Sequence, residues 1–115
     1  MRYLTLIVLG LLLTACGRGV DRHLDRAYQA YNQGDCAQAM LELSRTERKS
    51  RSRGYLQPEI SLLRGQCLER QKLYVDAVQT YLFIRDHYPN SEYAFRAGAR
   101  LDTLGQLGHY KVGVK

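Results

Sequence analysis

The sequence has no apolar run long enough to cross a membrane. The longest, Leu4 to Ala15, falls short of the ~18 to 20 residues that a spanning helix needs. Histidine is sparse, and His23, His87 and His109 stand far apart, with no carboxylate and nucleophile spaced as a triad and no pair at metal-ligand spacing. A glycine-rich phosphate loop is missing, and no segment alternates apolar and polar residues in the manner of a strand. Glu59, Glu69, Asp76 and Asp86 read as helix-surface charges. These absences exclude a membrane-spanning helix and a phosphate-loop nucleotide binder, and they predict a protein without catalytic residues, metal or cofactor.

What is present begins with Met1, Arg2 and Tyr3, a weakly basic start, followed by the apolar segment Leu4 to Leu13 and then small residues. This is the layout of a secretory signal peptide. At its end, Leu13, Thr14, Ala15 and Cys16 resemble the lipobox of bacterial lipoproteins. The resemblance implies cleavage before Cys16, three acyl chains on that cysteine, and stable anchoring, because each buried methylene contributes ~0.8 kcal/mol and two or more chains hold a protein on a bilayer. In enteric members of that family an Asp after the lipidated cysteine marks inner-membrane retention. Gly17 stands there, which implies the outer membrane, periplasmic face. The expected organisation is a signal peptide over 1–15, a lipidated tether over 16–20, a helical domain over 21–107 and a flexible tail over 108–115.

Removing Arg2 from the 17 basic residues leaves 16 against 11 acidic ones in the mature chain. Such an excess raises nucleic acid as a partner in the cytoplasm. In the periplasm it points instead to anionic lipid head groups, cell-wall polymers or an acidic protein surface, or simply to a solvated basic surface. With Cys16 committed to lipid, Cys36 and Cys67 remain as an even pair in an oxidising compartment. They read either as a disulfide or as two buried thiols packing as small hydrophobes.

Five helices are legible in the apolar spacing. Leu24, Ala27, Tyr28 and Tyr31 share one face over about 21–33. Over 36–49, Ala39, Met40 and Leu43 point inward, with Glu42, Arg45 and Arg48 outward. Pro58 opens a third helix, with Ile60, Leu63, Cys67 and Leu68 inward as far as Gln71. Tyr74, Ala77, Val78, Tyr81 and Ile84 mark a fourth over 74–87. Ser91 caps a fifth, running to about Gly105 and carrying Phe95, Leu101 and Leu104. The fold class is therefore all-α, about five antiparallel helices.

Arg45, Arg48, Lys49, Arg51 and Arg53 form the most biased stretch, with Glu47 the single opposing charge and Ser50, Ser52 and Gly54 marking a loop. They read as an anion contact, each cation adding ~1 kcal/mol near an anionic surface, or as a helix end suited to its dipole followed by a solvated loop.

The pattern repeats. A shift of about 38 residues lays Leu24 on Leu62, Ala27 on Gly65, Ala39 on Ala77 and Leu43 on Tyr81. Ala27 or Gly65, Gly34 with Asp35, Ala39 or Ala77, Leu43 or Tyr81, and finally Pro89 resemble the tetratricopeptide repeat, although that family's spacing is ~34. Tyr88 to Ser91, followed by Tyr93 and Ala94, is similar to repeats of envelope-assembly lipoproteins. The first copy lacks a closing proline and carries His23 where the family has a bulky aromatic.

The resemblance implies two helical hairpins and a closing helix. It implies a groove lined by Asp25, Gln29, Asn32, Glu59, Leu63, Gln66 and Arg70, which would bind an extended peptide or a helix. It brings Cys36, at the start of the second helix, near Cys67 on the antiparallel third, within reach of a disulfide. Tyr55, Tyr93 and Tyr110 fall off the apolar stripes and are interface candidates. Two repeats leave apolar ends for a periplasmic or outer-membrane protein partner, or a second copy of the chain, to cover. The expected function is that of a protein-binding accessory or assembly subunit of an envelope complex. The alternatives are a membrane-apposed module for an anionic lipid or polymer and a docking regulator of a cell-wall enzyme; nucleic acid is not an expected partner.

Overall fold

The computed structural model describes Tyr3, residues 18–51 and residues 53–111. The cleavage region, Cys16 and Gly17 lie outside the described residues, as do 112–115. Among those described, the chain is all-helical and has no strand. The helices are α1 (Arg18–Asn32), α2 (Cys36–Lys49), α3 (Gln57–Arg70), α4 (Tyr74–His87) and α5 (Glu92–Gln106), with a 3-10 turn at Gly54–Leu56 between α2 and α3. No described helix is long and apolar enough to cross a membrane. Helix α1 starts at Arg18, inside the segment expected to be a tether.

Local chemistry sets the helix ends. The side chain of Asp35 accepts from the Gln38 amide at 3.0 Å and that of Ser91 from the Ala94 amide at 3.1 Å, so α2 and α5 begin on side-chain caps. Pro58 occupies the first turn of α3, where its missing N–H costs nothing.

Helices α1, α3 and α5 all end in the same turn. Gly34, Lys72 and Gly108 have φ of 79°, 61° and 85°, and each turn is closed by two matching backbone bonds. One runs from the next residue back to the helix, as Asp35 to Ala30 (2.8 Å), Leu73 to Leu68 (2.9 Å) and His109 to Leu104 (2.8 Å). The other runs from Gly34 to Tyr31, Lys72 to Glu69 and Gly108 to Gly105. This is a Schellman ending, which satisfies carbonyls that a helix end leaves bare. It reverses the chain into antiparallel hairpins α1–α2 and α3–α4. Its third occurrence starts the pattern again, with Tyr110 at the place held by Cys36 and Tyr74.

Two larger clusters form most of the core, beside a smaller one of Ala30, Cys36, Ala39 and Cys67. Leu24, Ala27, Leu43, Ile60 and Leu63 join α1, α2 and α3, while Leu62, Ala77, Val78, Tyr81, Ile84, Ala94, Ala97, Leu101 and Leu104 join α3, α4 and α5. Helix α3 feeds both and is buried on two sides, so it lacks the single stripe of a surface helix. The second cluster depends on a close approach: a Cβ at Gly65 would sit 2.5 Å from Cε1 of Tyr81.

Three expectations need correction, two about which side of a helix a residue faces and one about the tail. Phe95 is 81% exposed, because α5 buries Ala94, Ala97, Leu101 and Leu104, and Phe95 falls just off that face. Glu42, expected outward, is buried at 2% exposure against α1. Gly108 to Lys111, expected to be loose, fold back: His109 stacks on Tyr74 with ring centroids 3.6 Å apart, and Tyr110 packs against the α3–α5 core.

Candidate functional site

The odd-numbered helices α1, α3 and α5 share one face of the structure. Asp25, Gln29 and Asn32 are exposed on α1. Glu59, half-buried on α3, accepts a hydrogen bond from the Tyr28 hydroxyl at 2.7 Å. Burial, the bond to Glu59 and its negative charge push the Tyr28 hydroxyl well above the usual phenol range. The half-buried Tyr93 of α5 also sits by Glu59 and is raised, chiefly by burial and then by the charges of Glu59 and Glu92. Leu63 does not line the groove; it is 1% exposed and packs in the α1–α3 core, because it lies on the side of α3 that faces α1 and α2.

Gln66 and Arg70 open onto a hollow of about 430 Å³ together with Tyr31 of α1, Tyr74 of α4, Arg100 and Leu104 of α5, and Leu107 just past its end. The guanidinium of Arg70 lies 3.5 Å from the centre of the Tyr31 ring and donates to the Tyr31 carbonyl. Glu69 also lines the hollow. Arg100 grips it with two bonds, at 2.7 and 3.0 Å, and the Tyr81 hydroxyl donates to it at 2.5 Å. Glu59 and Glu69 therefore tie helices together rather than standing free on a surface. Arg100, Tyr31 and Leu107 were not singled out from the sequence as groove residues. Tyr31 meets Arg70 across 39 positions and Arg100 meets Glu69 across 31, separations at which no local periodicity reports contact.

The basic stretch divides. Arg45 turns toward the buried carboxylate of Glu42, at 2.9 Å, and Lys49 is exposed away from any described cavity. Arg48, Arg51 and Arg53 line a recess of about 490 Å³ with Ser50, Gly54, Gln57 and, from the end of α4, Tyr88. Glu47 also lines it, but its carboxylate is taken by Arg64 at 2.6 Å and by Gln57 at 3.0 Å. Burial opposes its charge, and those two donors outweigh burial and hold it below the usual carboxylate range. No ion pair among the described residues uses Arg48, Arg51 or Arg53.

Beneath α1, the Nδ1 of His23 lies 2.6 Å from Glu42, whose other oxygen accepts from Arg45 and from Gln38 at 3.2 Å. Burial acts to raise this carboxyl, but the His23 bond and the Arg45 charge prevail and keep it low. His23, which breaks the aromatic pattern of the first copy, is thus matched by a carboxylate; the second copy has Ser61 and Thr80 at the same places.

Cys36 and Cys67 are both buried and free, packed with Ala30 and Ala39. Burial and the adjoining Cys36 thiol push the Cys67 thiol up to about 12. Among the interface candidates, Tyr55 is 71% exposed, whereas Tyr93 and Tyr110 are half-buried. No group of three metal-ligating side chains gathers among the described residues.

These features define an all-helical hairpin protein with two surface features, a hollow across the odd helices and a basic recess at the α2–α3 link. Comparison with family models, curated proteins and solved structures finds nothing that matches the chain.

Proposed function

We propose that the chain is a lipid-anchored, tetratricopeptide-type binding module of the outer membrane's periplasmic face, serving as an accessory or assembly subunit of an envelope complex. The observation that carries this reading is the hollow at Tyr31, Gln66, Arg70, Arg100 and Leu104, to which all three odd helices contribute. A segment laid across it meets tyrosine and leucine side chains beside two guanidinium groups, a mixture rich in the aromatic and arginine residues enriched in protein interfaces. The recurring helix-ending turn and the close contact of Gly65 with Tyr81 support the repeat assignment, and Leu13 to Cys16 support the anchor. The machinery of the chain is for holding a partner, not for chemistry.

The test is site-specific photocrosslinking in cells with the full chain, placing the crosslinker at Gln66 and, as a control, at Asp86 on α4. One defined protein captured from Gln66 at near-equal ratio, absent from Asp86 and reduced by Arg70→Ala, supports the reading. Capture that is equal from both positions, or self-crosslinks alone, overturns it. Cys16→Ser is expected to move the chain from the membrane to the soluble fraction, and continued membrane retention rules out the acyl anchor.

A further inference from the structure

The basic recess is separate from the hollow and does not depend on the reading just given. Its cations are not explained by helix electrostatics alone. Arg48 lies in the last turn of α2, where a cation suits the carbonyl end. Arg51 and Arg53 lie beyond the last residue of that helix, in the link to α3, yet they line the same cavity. The nearest carboxylate, Glu47, is already engaged by Arg64 and Gln57. Three guanidinium groups therefore line one recess whose one carboxylate, Glu47, is already paired through Oε1 with a fourth cation, Arg64, so the recess keeps an excess of positive charge. The far wall is Tyr88, brought from the end of α4, so the cavity exists only in the folded chain.

We infer that this recess binds a phosphate-bearing anion with at least two negative charges, held by Arg48, Arg51 and Arg53. A lone carboxylate would match one guanidinium and leave two unbalanced. A pyrophosphate or phosphomonoester presents several acceptor oxygens at the spacing that guanidinium forks bind in pairs. A volume of about 490 Å³ also admits the body attached to such a phosphate. The phosphate belongs either to a soluble compound or to a lipid head group, and the same chemistry recognises both.

The experiment is equilibrium dialysis of the detergent-solubilised full chain against pyrophosphate. It compares the unmodified chain with the triple variant Arg48→Gln/Arg51→Gln/Arg53→Gln and with a control triple, Arg22→Gln/Arg85→Gln/Lys111→Gln, which removes the same charge from exposed sites elsewhere. The recess triple is expected to lose binding, and Arg51→Gln and Arg53→Gln alone to weaken it about tenfold each, the size of one charge-assisted hydrogen bond. The control triple is expected to bind as the unmodified chain does. Equal losses in both triples, or no binding to the unmodified chain, overturns the inference. Mixed micelles of the same detergent with phosphatidylcholine and phosphatidic acid, against micelles with phosphatidylcholine alone, then separate the sources. Displacement of pyrophosphate by the micelles with phosphatidic acid assigns a lipid phosphate, and no displacement assigns a soluble one; either result requires the site.

Discussion

The ring of Tyr81 fills the space that a side chain at Gly65 would need, with a Cβ there only 2.5 Å from its Cε1. This contact lets α3 and α4 pack closely, and the Tyr81 hydroxyl then reaches Glu69, which Arg100 clamps from α5. One missing side chain thus positions a network across three helices.

Gly65→Ala is expected to destabilise the chain. Alanine improves helix propensity by ~1 kcal/mol, but overpacking against a buried aromatic ring costs ~1 to 3 kcal/mol, a net loss of up to about 2 kcal/mol. Urea unfolding followed by circular dichroism measures this. A midpoint equal to or above that of the unmodified chain would show that the ring moves aside freely.

The Cys36–Cys67 pair predicts slow thiol chemistry in the folded state. With Cys67 pushed up to about 12 and both groups buried, iodoacetamide at pH ~8 should leave them unmodified until urea is added, since only the thiolate reacts. Given a disulfide oxidant, which takes up two electrons and the two thiol protons, the pair is expected to close only once urea opens the chain and frees a thiolate, and to stay closed on refolding. Intact mass should then fall by two hydrogens, and closing a loop of about 30 residues should add roughly 3 to 4 kcal/mol. Rapid alkylation of the folded chain contradicts the packing.

Acid sensitivity should centre on Glu42 and Glu47. Both carboxyls are held below their ordinary range when folded, so the unfolded chain takes up protons first as pH falls. Their stabilisation is complete above the ordinary carboxylate range and is lost as pH drops through the lower folded values. The urea midpoint is expected to fall between pH ~5 and pH ~3, and Glu42→Gln/Glu47→Gln should flatten that fall. At neutral pH, Glu42→Gln alone should cost ~1.5 to 3 kcal/mol, because a charged acceptor for His23 and Arg45 is removed. An unchanged acid limb in the double variant places the sensitivity elsewhere.

Lys72 holds the left-handed conformation that glycine holds at the other two turns. A side chain there costs ~1 to 2 kcal/mol, and glycine gives back ~0.5 to 1 kcal/mol through the freedom of the unfolded chain. Lys72→Gly is therefore expected to stabilise by about 0.5 to 1 kcal/mol, read as a higher thermal midpoint. Lys72→Val, β-branched, should lower it.

Much of this architecture is legible before folding. Helices α2 and α4 run over the residues that apolar spacing assigns them, and the other three differ by one to three residues at their ends. Phe95 shows the limit: periodicity marks a residue as apolar and places it near a face, but α5 buries small residues beside the large one. Leu63 is inside, as the apolar spacing places it, and only the groove role that the resemblance implies fails. Only the neighbours decide which apolar side chain is inside. Likewise the turn at Lys72 carries no glycine to announce it, and its geometry is imposed by the hairpin around it.

The linear chain, through spacing, caps and small residues at helix crossings, determined that the protein is helical, where its hairpins turn and which positions repeat. The tertiary structure alone decided the fate of the charges. Arg45 and Arg48 are neighbours on one helix, yet one is drawn to Glu42 and the other faces the recess. Glu69 and Arg100 meet across helices. The reason is physical: a charge's environment depends on which other elements exclude water around it and supply a partner, and those elements are distant in the chain.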